Sequence, residues 1–431
     1  MEEGEIVENN TVKHKKGLTY HWAIVLACFL MMGASVGITV NCFSVFSVGI
    51  IKTFGFSASQ VVLINSIGTL ANLITGVFIA KIFAKLSVRK TTILFAIITS
   101  VGFICYSFAK TLVAFYIVAA VVGFGITGVS TIPCGLLLNN WFDEKKGTAT
   151  GIAFTGSVFC GLIFVQVAKS VLASSGLQRA YVVLGICCAV ILIPTTLFLV
   201  RAKPSEKGLL PYGAQTKDAL DAKAAAVQQE VTGISFGKYV KTSSFWLTAI
   251  SLFLLGGINM GIQNNFTVYF TSELGHTAEF AANIFTINMG VQIVGKLLLG
   301  AIYDKKGLKF GSIYGCVLYF LVVISMIMSK NTTIAILCGC VFGLLCSMTT
   351  VTPPYLVSLN VGRKAYAQIY GVLCLFYGAG IALLPLVASS IYDKTSSYNL
   401  AWYIFAGCSV VLAITTIVSN KKSKGFAEMT E

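Results

Sequence analysis

The sequence predicts an all-α membrane protein in which twelve transmembrane helices form two pseudo-symmetric bundles of six. Three observations predict it. Of the 431 residues, 56% are hydrophobic and 11% charged, where a soluble domain carries about 25% charged residues. The apolar residues gather into runs near the length of about 20 that spans a bilayer. Those runs fall into six, a polar interruption, and six more.

The apolar segments are expected over 22–50, 58–80, 91–109, 111–138, 148–172 and 180–200, then 245–270, 278–301, 311–328, 332–358, 366–390 and 399–419. These give a polar tail over 1–20, a first bundle over 21–200, a linker over 201–244, a second bundle over 245–419 and a tail over 420–431. The linker has too few apolar residues to bury a core, although 214–229 can form a short exposed helix. The first apolar run is too long for a signal-peptide core of about 7–15 residues, so it is expected to stay in the protein.

Charge sets the orientation. With the N-terminus in the cytoplasm, 24 of the 31 Lys and Arg fall on the cytoplasmic side, six on the other, and Lys296 alone within a helix. That bias fits the positive-inside rule with both termini cytoplasmic. It also accounts for the net charge of +15 through attraction to anionic lipid. A nucleic-acid interface needs basic residues on one solvated face, so nucleic acid is excluded as a partner.

The halves echo each other. Ala84 in Ala84-Lys85-Leu86-Ser87-Val88-Arg89-Lys90 aligns with Asp304 in Asp304-Lys305-Lys306-Gly307-Leu308-Lys309 at an offset of 220, and Lys145-Lys146 with Arg363-Lys364 at 218. Nearly one offset at two landmarks indicates a duplicated six-helix unit, the kind of repeat that surrounds a midplane site in many transporters.

Most of the 13 cysteines lie inside apolar runs, where a thiol behaves as a small hydrophobe. Their spacing suits neither a disulfide framework nor zinc, and no metal or cofactor is expected. Gly123-x-Gly125-x-x-Gly128 matches a dinucleotide fingerprint but lacks the βαβ setting the fingerprint needs. No nucleophile–base pair is present, so an enzyme is not expected.

Lys296 is the most informative residue. It stands in the otherwise uncharged stretch 284–302, eight residues before Asp304, which is about 12 Å along a helix. A lysine near the centre of a membrane helix costs about 2.5–3.5 kcal/mol. None of the 16 acids lies inside another apolar segment, so the offset is expected from a bound anion or from snorkelling to the headgroups. Asn288, Gln292 and Lys296 share one helix stripe, which either lines a cavity or bonds neighbouring helices. Asn41 and Asn265, on the equivalent first and seventh helices, and Tyr370 and Tyr377 on the eleventh are further candidates for substrate binding.

At these residues the chain resembles the major facilitator superfamily. Gly300-x-x-x-Asp304-Lys305-x-Gly307 matches that superfamily's inter-helix signature, and the first-half copy is degraded at Ala84 and Ser87. The resemblance implies that this loop helps latch the cytoplasmic gate. Asp304, Arg363, Lys364 and Arg89 are the candidate gating residues, and Asp304 is expected to pair with a cytoplasmic base, Arg363 or Lys364, in the outward-open state. A narrower resemblance, to the oxalate:formate antiporter and monocarboxylate porter group, rests on three motifs: Asn140-Trp141-Phe142-x-x-x-Lys146-Gly147-x-Ala149-x-Gly151, Pro204-x-x-x-Gly208-Leu209-Leu210-Pro211-Tyr212-Gly213 and Tyr366-Ala367-x-Ile369-Tyr370-Gly371. That group carries a basic residue where Lys296 stands. Its oxalate carrier has a second one where this chain has Leu373, so the resemblance implies a singly charged anion. The fifth helix lacks the Gly-Pro signature of the superfamily's drug exporters.

Together these imply a secondary transporter of a small, monocarboxylate-like organic anion, working by alternating access as a monomer in the lipid of the plasma membrane. Exchange or facilitated transport is expected. Proton symport is the alternative, and a non-transporting ligand sensor is the reading from another class.

Overall fold

A computed structural model describes residues 20–214 and 232–429. The tail expected over 1–20, apart from Tyr20, and nearly all of the linker helix expected over 214–229 lie outside the described residues.

Ten helical runs among the described residues are long and apolar enough to cross a membrane. Two of them, Lys146–Leu199 and Glu279–Ile327, have 54 and 49 residues, about twice what one crossing needs. Each folds back at a single glycine, Gly176 at φ 81° and Gly307 at φ 74°. Ten runs therefore make twelve crossings: α1 Tyr20–Phe54, α2 Gln60–Leu86, α3 Val88–Phe108, α4 Leu112–Trp141, α5 146–175, α6 177–199, α7 Ser243–Phe266, α8 279–306, α9 308–327, α10 Thr332–Val361, α11 Tyr366–Thr395 and α12 Asn399–Lys422.

The loops expected at 173–179 and 302–310 do not form. One residue in the left-handed region reverses the chain, and the polar residues on either side stay helical. Elsewhere helices begin where short polar side chains cap them. Ser57 and Gln60 form a capping box at α2, and Thr111, Thr242 and Thr277 accept from the N–H groups of Ala114, Phe245 and Phe280.

The repeat is more regular in the backbone than in the side chains. Positive φ recurs at a spacing of 220: Gly55 (φ 69°) with Gly275 (φ 76°), Ser87 (φ 63°) with Gly307 (φ 74°), and Gly176 (φ 81°) with Ser396 (φ 54°). The degraded first-half signature has thus kept its turn geometry with serine in place of glycine, a conformation that strains any residue with a Cβ.

The buried apolar residues form one continuous core, with an aromatic cluster in each half. Phe46, Phe103, Tyr106 and Tyr181 cluster in the first, and Tyr269, Tyr398, Trp402 and Phe405 in the second. The outer surface exposes Val113, Ile117, Phe198, Val294 and Leu386, as lipid contact requires. The halves meet along two seams, α5 against α8 and α2 against α11. At the second, Gly76 and Gly371 bring the backbones together. The ends of the helices that carry the lysine and arginine clusters are called the basic end below.

Candidate functional site: the seam between α5 and α8

Small residues set the geometry of this seam. A Cβ on Gly151 would strike the carbonyl oxygen of Lys296, and one on Gly147 would come 2.9 Å from Tyr303 Cβ. Without those atoms the α5 and α8 backbones touch, as small residues allow in membranes. At the basic end Asp304 closes the contact. Its two carboxylate oxygens accept the backbone N–H groups of Gly147 and Thr148, each at 2.6 Å. A carboxylate at a helix N-terminus satisfies orphan donors and complements the helix dipole.

About two turns further in lies Lys296, 1% exposed. Its Nζ crosses the seam and donates to Phe154 O and Ser157 Oγ, both at 3.1 Å. Ser157 Oγ in turn donates to Phe154 O at 2.9 Å. Asn41, in the turn that follows a π-helical stretch of α1, donates to Ser157 O at 3.0 Å. The two sequence candidates Asn41 and Lys296 therefore both donate to Ser157, one to its carbonyl and the other to its hydroxyl. Both hydrogen-bond acceptors of the ammonium are neutral, which leaves its charge uncompensated in a site where charge is costly. Along the α8 stripe, Gln292 donates to Asn288 Oδ1 at 3.0 Å, and Asn288 reaches Cys346 Sγ at 3.9 Å.

The other candidates lie elsewhere. Tyr370 and Tyr377 line a cavity of about 220 Å³ between the halves, with Asn72, Ser130, Thr349 and Cys374. The Tyr377 hydroxyl donates to Thr349 O at 3.2 Å. Lys296 is not among the residues of that cavity. Asn265 is held inside the second half, donating to Gly261 O at 2.9 Å and accepting from Ser389 Oγ and Tyr398 OH at 2.9 and 3.1 Å. Arg89 donates to Leu197 O at 2.7 Å, which ties α3 to α6 within the first half.

Arg363 does not meet Asp304. It pairs with Asp143 at 2.7 Å on a partly exposed surface and donates from Nε to Asn139 O at 3.1 Å. The donors to the two Asp304 oxygens are instead the helix-terminal amides of Gly147 and Thr148. The Lys364 N–H donates to Thr232 O at 3.0 Å. Asn139 is the hub of this closure: it donates to Gly362 O at 2.9 Å and accepts from Lys146 Nζ at 2.8 Å. Ser157, Asn139 and Asp143 were not among the sequence candidates. Asn139 and Asp143 flank the Asn140-Trp141-Phe142 motif, which was the available signal. Ser157 had none.

Two of the family-like motifs turn out to be one structure. Trp141 Nε1 donates to Arg201 O, Tyr212 N to Trp141 O, and the Asp143 and Glu144 amides to Tyr212 O, all at 2.8–3.0 Å. The start of the linker is thereby docked on the loop between α4 and α5. Among the described residues no group of His, Cys, Asp and Glu is placed to hold a metal ion.

The family model described as Major Facilitator Superfamily matches residues 24–383 and 271–429. The mouse protein named Monocarboxylate transporter 12 is 24% identical over 93% of this chain and 86% of its own length. The chicken Monocarboxylate transporter 4 is 22% identical over 93% and 84%. In yeast, the Probable transporter MCH2 is 24% identical over 88% and 77%. Among solved structures, the proton:xylose symporter XylE superposes with a TM-score of 0.74 at 15% identity, covering 95% of this chain and 98% of that one. The human organic anion transporter MFSD10 gives 0.70 at 12%, covering 92% and 99%.

Proposed function

Because this chain belongs to the Major Facilitator Superfamily, whose members are transporters and not enzymes, we propose that its cargo is a small monocarboxylate-like organic anion bound by Lys296. The observation that carries the proposal is the Lys296 ammonium, buried on the seam between the halves with Phe154 O and Ser157 Oγ as its hydrogen-bond acceptors. An anion entering the seam supplies the missing charge and takes over donors now spent on neutral oxygens. The names of the monocarboxylate transporters that the chain resembles support the same class.

Transport follows by alternating access, with 21–200 and 245–419 rocking as two units around the seam. Besides those of Lys296, the hydrogen bonds between the halves gather at the basic end, at Asn139, Asp143, Gly147, Thr148, Asp304, Gly362 and Arg363. The positive-inside bias supports reading this as the cytoplasmic end, with both termini inside the cell, and the plasma membrane is the proposed location. The arrangement is that of a carrier closed toward the cytoplasm. The proposed working unit is a monomer surrounded by lipid.

Exchange or facilitated transport is the favoured mode, because among the described residues no carboxylate is seen in the membrane interior to carry a proton. Proton symport is the second reading, with the isolated Lys296 ammonium as proton carrier. Uptake of labelled L-lactate and formate into proteoliposomes tests the site. Lys296→Gln abolishes uptake and Lys296→Arg retains part of it; uptake that survives Lys296→Gln removes Lys296 from the binding site. Applying a pH gradient without anion inside the vesicles separates the modes, because only symport then concentrates the anion.

A further inference from the structure

Three backbone segments from distant parts of the chain lie together at the basic end: 232–234 before α7, 361–364 between α10 and α11, and 425–429 after α12. Gly233 N–H donates to Met429 O at 2.8 Å and Ile234 N–H to Val361 O at 3.2 Å. The Arg363 and Lys364 amides both donate to Thr232 O, at 2.9 and 3.0 Å. Gly362 sits at the centre with φ 72° and ψ −146°. A Cβ there would lie 2.8 Å from Ala427 O and 2.9 Å from Gly233 Cα.

Side chains anchor the tail to the same place. Phe426 packs edge-on against Tyr239 with ring centroids 6.3 Å apart. Ser423 hydrogen-bonds Ser244, and Ser419 bonds Thr248 and Asn360. The end of α12 is thus joined to the end of α10 immediately before the 361–364 loop.

That loop is also the part of the second half that grips the first. Gly362 O accepts from Asn139, and Arg363 binds Asn139 O and Asp143. The equivalent loop of the first half, around Asp143, is clamped by Tyr212 of the linker. Both sides of the closure are therefore held by chain outside the transmembrane helices, and on one side that chain is the C-terminal segment.

We propose that residues 425–429 act as a strap that holds the 361–364 loop in its gripping shape and so prolongs the closed state of the basic end. The strap works through its backbone: Met429 contributes a carbonyl and Ala427 a close approach to Gly362. The proposal rests on the alternating-access reading.

Spin labels introduced as noncanonical amino acids at the exposed Lys85 and Lys309, one on each half, report the basic-end separation in nanodiscs by pulsed electron resonance. This leaves the 13 native cysteines alone. Deleting 425–431 raises the open population about tenfold, the order expected for losing a backbone hydrogen bond and its packing. Met429→Ala, which keeps the carbonyl, leaves the distribution unchanged. A deletion with no effect overturns the strap, and so does a Met429→Ala effect as large as the deletion. If the full-length protein shows one separation with and without L-lactate, alternating access itself falls and takes the strap with it. Movement in the full-length protein that is insensitive to the deletion removes the strap alone.

Discussion

The Asp304 carboxylate and the Gly147 backbone N–H meet at 2.6 Å although 157 residues separate them and each belongs to a different half. The pair makes helix α5 depend on the second half for its cap. Asp304→Asn keeps an acceptor but removes the charge that complements the helix dipole, a loss of about 0.5–2 kcal/mol. Amide exchange at Gly147 and Thr148, followed by mass spectrometry of a peptide spanning them, is expected to speed up by up to about tenfold. Unchanged protection would mean that the cap contributes nothing to the closed state.

Gly151→Val tests whether the seam must close fully. The added side chain meets the Lys296 carbonyl on the facing helix, and overpacking of this kind costs about 1–3 kcal/mol. Exchange of L-lactate in proteoliposomes falls by about tenfold or more for Val and less for Ala. Normal rates in Gly151→Val at matched incorporation would refute the close approach as part of the transport cycle.

On the proposed binding mode, Ser157 competes with the cargo for the lysine. Ser157→Ala leaves a buried charged donor one acceptor short, which costs about 1.5–3 kcal/mol. The anion-free protein melts lower than wild type, and L-lactate raises its melting temperature by more than it raises that of wild type. An equal ligand-induced rise in both proteins would remove Ser157 from the site.

Asn139 outweighs the ion pair beside it. The Arg363–Asp143 bridge is partly exposed, with side chains 23% and 45% accessible, so it is worth at most about 1 kcal/mol and weakens with salt. Asn139 is 2% exposed and bonds both Gly362 O and Lys146 Nζ. Asn139→Ala is therefore expected to open the basic end more than Asp143→Asn does, as read by the label pair at positions 85 and 309. The reverse order would put the closure on the ion pair.

What was legible in the sequence was what the bilayer makes expensive. Twelve apolar runs and a solitary Lys296 stand out because water-free surroundings penalise charge and bare backbone. The duplication was legible at Ala84 and Asp304 because turns need particular residues at the helix ends. Asp304 stood out in the sequence, but its partners are the amides of Gly147 and Thr148, a group that every residue except proline possesses. The strap was hidden for the same reason, since Met429 and Thr232 act through carbonyl oxygens. Ser157 was one hydroxyl among many, and only the crossing of α5 and α8 distinguishes it. The grouping of Tyr370 and Tyr377 apart from Lys296 depends on how the helices pack, which no single helix reveals.

The neutral surroundings of Lys296 also make the carrier an electrical object. On the proposed binding mode, an empty carrier with Lys296 protonated holds one positive charge at the seam, and a carrier loaded with a monoanion holds none. Moving an elementary charge through the full membrane field is worth about 2.3 kcal/mol per 100 mV. Any fraction of that field crossed by the ammonium during rocking therefore biases the empty protein and leaves the loaded one nearly indifferent. On that binding mode, an inside-negative potential opposes the outward return of the empty carrier and favours its inward return, while one-for-one exchange stays nearly indifferent. A single lysine without a countercharge would thus turn the membrane potential into a bias against net uptake and toward net release.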